Sequence, residues 1–274
     1  MFENILKEIK IRNPLVHCIT NYVTVNDCAN AILAVSGSPI MADAIDEVED
    51  ITTICNSLVI NIGTLNERTI SSMIAAGKMA NYLNHPVVFD PVGAGASKLR
   101  TETAKKLLQE IKFSIIRGNI SEIKALATNI STTQGVDANI NDIVTKNNLN
   151  EAIAFAKYFS KETNAIIAIT GAIDIIASKD KAYIVYNGCS MMSKITGTGC
   201  MLSAILGAFA TVGQSNLLET TAYTVAMIGY CGEIASQKVM ARDEGTSSFR
   251  TYLIDALSTM TYTNLKAGVK IEIF

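Results

Sequence analysis

Val87-Val-Phe-Asp90-Pro-Val-Gly-Ala-Gly95 is an apolar run of strand type that ends in an acid and breaks into a glycine turn. In open α/β sheets ligands gather at the carboxyl ends of strands, so this stretch begins a βα unit and places Asp90 where a metal ion or a phosphate is met. It does not open a dinucleotide fingerprint, because Lys98 stands where the third glycine of G-x-G-x-x-G belongs.

Outward from this stretch the same alternation repeats. Apolar runs bounded by turn residues predict strands at 15–19, 39–41, 58–62, 87–89, 114–116 and 165–169, and helical periodicity fills 24–37, 47–55, 67–83, 102–111 and 151–163. Thr24-Val-Asn-Asp27 has the Ser/Thr-x-x-acid form of a capping box, and Gly37 supplies a stop. Runs 173–177 and 182–185 flank Ser-Lys-Asp-Lys and predict an antiparallel hairpin on the sheet's edge. Beyond it, 199–212, 217–239 and 249–260 read as consecutive helices with few charges. Residues 1–274 thus predict a single α/β domain of three αβα layers around a mostly parallel sheet. The polar, weakly periodic segment 129–150, which contains Gly135, reads as an excursion at its edge.

Composition narrows the function. Hydrophobic residues make up 49% against 18% charged, with mean hydropathy +0.28, so a membrane span has to be weighed, and the uncharged run 195–218 is its best candidate. Four glycines (Gly197, Gly199, Gly207, Gly213) and many hydroxyl residues in that run favour a helix buried in a large core. A net charge of -2 without a Lys/Arg cluster leaves no electrostatic footprint for nucleic acid or anionic lipid, which points to a small-molecule partner. Met1-Phe-Glu-Asn-Ile lacks the basic and apolar regions of a secretory signal, so a cytoplasmic location is expected. The six cysteines are scattered, with no C-x-x-C pair, and predict reduced, mostly buried thiols.

Four constellations carry chemistry. In Ile195-Thr-Gly-Thr-Gly-Cys200-Met-Leu-Ser-Ala, glycines precede a long apolar helix, so backbone N–H groups and the helix end can converge on an anion; the same residues also read as a tight loop feeding a buried helix. Cys200 falls in the first helical turn, as either a base or a packing residue. The second is Asp90, already described. In Ser114-Ile-Ile-Arg117-Gly-Asn119-Ile-Ser-Glu122, Asn119 and Glu122 share a face of the first turn and could hold a hydrated Mg2+, with Arg117 as a phosphate clamp; an ordinary helix cap with a surface arginine is the competing reading. Thr170-Gly171 ends a fourth strand. Asn21 to Asn26 and Ser38-Pro-Ile-Met41 offer amides and a methionine for a small, partly apolar heterocycle, or core packing. His17 and His85 have no serine or acidic partner in sequence and are assigned to structure.

Taken together, Asp at one strand end, Asn-x-x-Glu after the next, Thr-Gly after another and Gly-Thr-Gly before a long helix resemble the ribokinase-like superfamily. Within it, Pro14-Leu-Val-His-Cys-Ile-Thr-Asn-Tyr-Val23, Ser38-Pro-Ile-Met41-Ala, Asp90-Pro-Val-Gly-Ala-Gly-Ala, Arg117-Gly-Asn-Ile-Ser-Glu-Ile and Thr196-Gly-Thr-Gly-Cys are similar to the hydroxyethylthiazole kinase family.

The resemblance implies Mg2+-dependent transfer of the ATP γ-phosphoryl to the hydroxyethyl group of 4-methyl-5-(2-hydroxyethyl)thiazole in thiamine biosynthesis, by a homotrimer with sites at subunit interfaces. It further implies that Met41, Gly197, Asn21, Val23 and Gly63 contact the thiazole, that Arg117, Thr170, Gly171, Asn119, Thr198 and Gly199 contact ATP, and that Asp90 and Glu122 serve the metal. Many ribokinase-like enzymes carry Asp as the base where this chain has Cys200, which leaves the base role open. Gly245-Thr-Ser-Ser-Phe249 departs from the Gly-Pro-Gly-Ser-Phe of relatives. The alternatives are a hydroxymethylpyrimidine kinase or an ATP-dependent nucleotide-hydrate dehydratase, both opposed by Asn21-Tyr-Val and Met41, and a noncatalytic ligand-binding or membrane-associated protein.

Overall fold

The computed structural model describes residues 2–127 and 143–274, so most of the segment expected as an excursion, 129–142, lies outside the described residues. The chain runs α1 (Phe2–Arg12), β1 (Leu15–Ile19), α2 (Val25–Ala34), β2 (Ser38–Ile40), α3 (Val48–Ile54), β3 (Ser57–Asn61), α4 (Glu67–Tyr82), β4 (Val87–Asp90), α5 (Lys98–Glu110), β5 (Ile115–Gly118), α6 (Ile120–Ala127), α7 (Leu149–Thr163) and β6 (Ile166–Ile169). It continues through β7 (Asp174–Ala177), β8 (Ala182–Val185), α8 (Thr198–Val212), α9 (Leu217–Arg242), α10 (Thr246–Ser258), α11 (Tyr262–Gly268) and β9 (Ile271–Ile273).

The strands form one sheet in the order β2-β1-β3-β4-β5-β6-β7-β8-β9. Pairing is parallel from β2 through β6 and antiparallel from β6 onward, as expected of a mostly parallel sheet with an antiparallel end. The period of two decides which helices cover which face. Val59, Val88, Ile115, Ala168 and Ile176 point into one core with α1, α2, α8, α9 and α10. Their neighbours Leu58, Ile60, Val87, Phe89, Ile116, Ile167 and Ile175 point into a second core under α4 to α7.

Three elements were not predicted from the sequence. Helix α1 buries Phe2, Ile5, Leu6 and Ile9, a spacing of one apolar face, and stacks Phe2 on Phe209 and Tyr223 at 5.7 and 5.2 Å. Helix α11 and strand β9 close the chain, and β9 pairs outside the predicted β7–β8 hairpin, so the hairpin is the edge in sequence but β9 is the outermost strand. The capping box expected at Thr24 is not made. Its hydroxyl donates to Asn21 Oδ1 at 3.0 Å, and Asp27 is drawn away by Arg250 of α10. A capping box does form at Asn66 with Thr69, on α4.

Helix α8 is buried from Met201 through Ala210. No single helix among the described residues is long and apolar enough to cross a membrane, and α8 meets the following helical segment at a 102° bend. Gly207 lets α8 lie directly on the sheet, since a Cβ there would stand 2.4 Å from Val59 Cγ2 and 3.1 Å from Val16 Cγ1. Both valines are β-branched and buried, so neither can swing aside. Gly207→Val is therefore expected to lower stability by about 1–3 kcal/mol in urea unfolding; an unchanged midpoint would show that α8 does not depend on this close approach.

Candidate active site

The carboxyl ends of β3, β4 and β5 and the amino end of α8 converge on one carboxylate. Parallel register sets Asn61 beside Asp90 at the ends of β3 and β4. Asp90 is fully buried, and its Oδ2 accepts hydrogen bonds from Asn61 Nδ2 at 3.0 Å, Ser203 Oγ at 2.8 Å and Arg117 Nη1 at 3.3 Å. Its Oδ1 is buried without a partner among the described residues. Three donors on one oxygen leave the other free for a ligand, as a purely structural carboxylate would not require.

Arg117 is held from both sides. Its Nη2 donates to Thr170 Oγ1 at 2.6 Å, and its Nε is buried and unpaired. The guanidinium lies against the first turn of α8, where a Cβ on Gly199 would come within 2.4 Å of Nη1 and 2.5 Å of Nη2. Gly197 is required for another reason: it takes φ +90 at the N-cap, and a Cβ there would strike Thr24 Cγ2 at 2.6 Å. The N-cap supplies no side-chain acceptor, so the first N–H groups of α8 stay open, next to a guanidinium. That combination is a built anion site.

Cys200 faces two amides. Its Sγ accepts from Asn21 Nδ2 at 3.2 Å and from Asn61 Nδ2 at 3.3 Å. Asn21 also donates to Asn61 Oδ1, and Gly63 N–H donates to the same oxygen at 2.9 Å. A continuous polar chain thus links Cys200 through Asn61 to Asp90, Arg117 and Thr170.

Asn119 and Glu122 are engaged differently from the expected ion-holding pair. Asn119 N–H donates to Glu122 Oε2 and Glu122 N–H to Asn119 Oδ1, both at 2.8 Å, a reciprocal cap at the start of α6. Glu122 Oε1 accepts Gly93 N–H at 2.8 Å and so ties down the turn after Asp90. Burial raises the Glu122 pKa against these backbone donors. Among the described residues no group of three or more His, Cys, Asp and Glu could hold a metal on protein ligands alone.

Two cavities meet here. The larger, about 580 Å³, is lined by Thr170, Gly171, Asp174, Thr198, Val225 and Ile228 among others. The smaller, about 390 Å³, takes in Asn21, Val23, Gly63, Asp90, Asn119, Glu122, Gly197 and Cys200. Arg117, Thr170 and Gly199 line both. Of the expected site residues only Met41 lines neither; it is half-buried and packs on the core beneath α8.

Sequence reasoning missed Asn61, Ser203 and Asp174. Asn61 and Asp174 sit inside runs read as apolar strands, where a polar residue at a strand end was the available signal. Ser203 lies one turn beyond Gly199 and faces Asp90 only because α8 is a helix. Burial pushes Asp174 up to about 7, opposed by Gly171 N–H and by Arg117. His17 is buried between Thr52 Oγ1 and the Ala42 carbonyl, and Cys18, Cys28, Cys55 and Cys231 are buried with raised pKa values.

The model of the Hydroxyethylthiazole kinase family matches residues 6–263. A hydroxyethylthiazole kinase of Clostridium acetobutylicum is 57% identical over 272 residues, covering 99% of both chains. The structure of a hydroxyethylthiazole kinase protein from Pyrococcus horikoshii OT3 superposes with TM-score 0.87 at 34% identity, covering 99% of this chain and 98% of that one. A ribokinase-like superfamily protein of Enterococcus faecalis V583, at 10% identity and TM-score 0.61 over 94% of this chain and 95% of its own, shares the fold. The chain belongs to the hydroxyethylthiazole kinase family and has the ribokinase-like fold.

Proposed function

We propose that this protein transfers the γ-phosphoryl group of ATP to the hydroxyethyl oxygen of 4-methyl-5-(2-hydroxyethyl)thiazole, yielding ADP and the thiazole phosphate used to make thiamine. The observation that carries the proposal is the shared wall of the two cavities: Arg117, Thr170 and Gly199 stand between a space of about 580 Å³ and one of about 390 Å³, beside the uncapped start of α8. ATP fits the larger space with its phosphates at that wall, and the thiazole fits the smaller one with its hydroxyl toward Cys200.

In the reaction the acceptor oxygen bonds to the γ-phosphorus, the bond from phosphorus to the β-bridging oxygen breaks, and ADP leaves with that electron pair. Arg117 and the first N–H groups of α8 hold the equatorial oxygens of the moving group, which is where a loose transition state carries its charge. The hydroxyl proton passes to Cys200 acting as the thiolate, whose sulfur accepts from the Asn21 and Asn61 amides, and the product is the neutral thiol. Such a transition state asks little of a base, so a thiolate suffices where many ribokinase-like enzymes carry a carboxylate.

Mg2+ fits the residues present. Asp90 keeps a buried, unpartnered Oδ1, and Glu122 lines the same cavity, which suits an ion that takes one or two carboxylates and completes its shell with water and phosphate oxygens. Asp90 and Glu122 would hold it, and it would neutralise phosphate charge. The homotrimer is part of the same reading; what supports self-association is that Val23 on the smaller cavity's wall and the adjacent Tyr22 are 66% and 59% exposed, so a second copy over them would cover both and supply a further wall. Six free cysteines suit the reducing cytoplasm.

The activity is checked by Mg2+-dependent ADP release with hydroxyethylthiazole; no release across a panel of primary alcohols would refute it. Asp90→Asn and Glu122→Gln are each expected to raise the Mg2+ concentration for half-maximal activity by about tenfold or more, and an unchanged titration would remove the residue from the metal's surroundings. Cys200→Ala should lower kcat by about 10²-fold, the low end for a lost general base, while Cys200→Asp retains activity. Equal kcat for wild type and Cys200→Ala would show that the proton leaves by another route.

A further inference from the structure

The larger cavity contains one buried carboxylate that the transfer of a phosphoryl group does not use. Asp174 opens β7 three residues after Gly171, and its Oδ1 accepts Gly171 N–H at 2.8 Å. Its Oδ2 accepts no hydrogen bond from the described residues. Three polar side chains that line the same cavity are engaged elsewhere: Asn187 on Glu233, Gly268 and Lys270, Thr198 on the Met192 carbonyl, and Tyr186 on Glu272. Asp174 therefore presents an unpaired acceptor to this space.

Its location restricts what it can accept from. Asp174 accepts from Gly171, the residue after the Thr170 that Arg117 bonds, which sets it toward the phosphate end, whereas Met192, Val225 and Ile228 give the cavity an apolar stretch suited to the face of a base. A carboxylate would repel a phosphate, and the base belongs on the apolar walls. Between the two lies the sugar, whose hydroxyls are donors. A carboxylate buried with a single backbone donor is costly, and burial has pushed this one up to about 7, so a second donor would recover part of that cost on binding.

We propose that Asp174 Oδ2 accepts a hydrogen bond from a ribose hydroxyl of the bound nucleoside triphosphate and thereby selects ribonucleotides over deoxyribonucleotides. The inference rests on the reading of this cavity as the nucleotide site. It makes Asp174 a specificity residue outside the phosphoryl-transfer machinery.

The test compares kcat/KM for ATP, 2′-deoxy-ATP, 3′-deoxy-ATP and ITP at saturating hydroxyethylthiazole, in wild type, Asp174→Ala and Asp174→Asn. Wild type should prefer ATP over one deoxy analogue by about tenfold or more, the scale of a hydrogen bond to a charged group. That preference should fall to about twofold or less in Asp174→Ala, through loss on ATP rather than gain on the analogue. In Asp174→Asn, which keeps the bond to Gly171 and can only donate to the hydroxyl, it should fall to an intermediate value. If the alanine variant does not fold, the asparagine variant decides. A wild-type preference of one, or an unchanged preference in a folded variant, overturns the proposal, as does collapse of the ATP-over-ITP preference instead, which would put Asp174 on the base. A wild type that turns over no nucleotide with the thiazole defeats the proposed activity itself, and is distinguishable from an active wild type whose discrimination ignores Asp174.

Discussion

The site is organised around a carboxylate that has no access to water. Asp90 is fully buried at the end of a central strand, and a charge in that position persists only if donors surround it. Asn61 comes from β3, Arg117 from β5 and Ser203 from α8, so satisfying one side chain fixes the relative positions of two neighbouring strand ends and of the helix whose first turn makes the anion site. The pair with Arg117 is better understood as a positioning device than as a source of stability, since buried ion pairs scarcely repay their desolvation while breaking one is expensive.

That arrangement links chemistry to the packing beneath it. The open N–H groups of α8 point at the cavities because Gly207 lets the helix lie flat on β1 and β3, and because Gly199 leaves room for the Arg117 guanidinium. Each glycine is a missing side chain required by a named neighbour. The two cavities meet at Arg117 rather than running together, so a group moving from one to the other passes a fixed positive charge. Preorganised charge of this kind is what phosphoryl transfer needs most.

The sheet was legible in the sequence because burial on both faces leaves runs such as Leu58-Val-Ile and Ala165-Ile-Ile-Ala-Ile, which admit few other readings. The anion site was legible because Gly197 and Gly199 stand directly before a long apolar helix. Asn119 and Glu122 show where local pattern is ambiguous, since a spacing of three serves a metal and a capping box equally well, and only the structure shows the reciprocal backbone bonds, which leave Glu122 on the cavity wall. Thr24 fails in the reverse sense, because its acid partner Asp27 is claimed by Arg250, more than two hundred positions along the chain. Asn61 left almost no trace, as its importance comes from register with Asp90 across two strands. Met41 stays outside both cavities and packs against the core instead.

The most direct test of this account is a crystal structure with Mg2+, a non-hydrolysable ATP analogue and hydroxyethylthiazole. The γ-phosphate is expected within hydrogen-bonding distance of Arg117 and of the Gly199 and Cys200 N–H groups, with the thiazole hydroxyl between that phosphate and Cys200 Sγ. A nucleotide bound with its phosphates away from the start of α8, or a thiazole hydroxyl out of reach of Cys200, would contradict it.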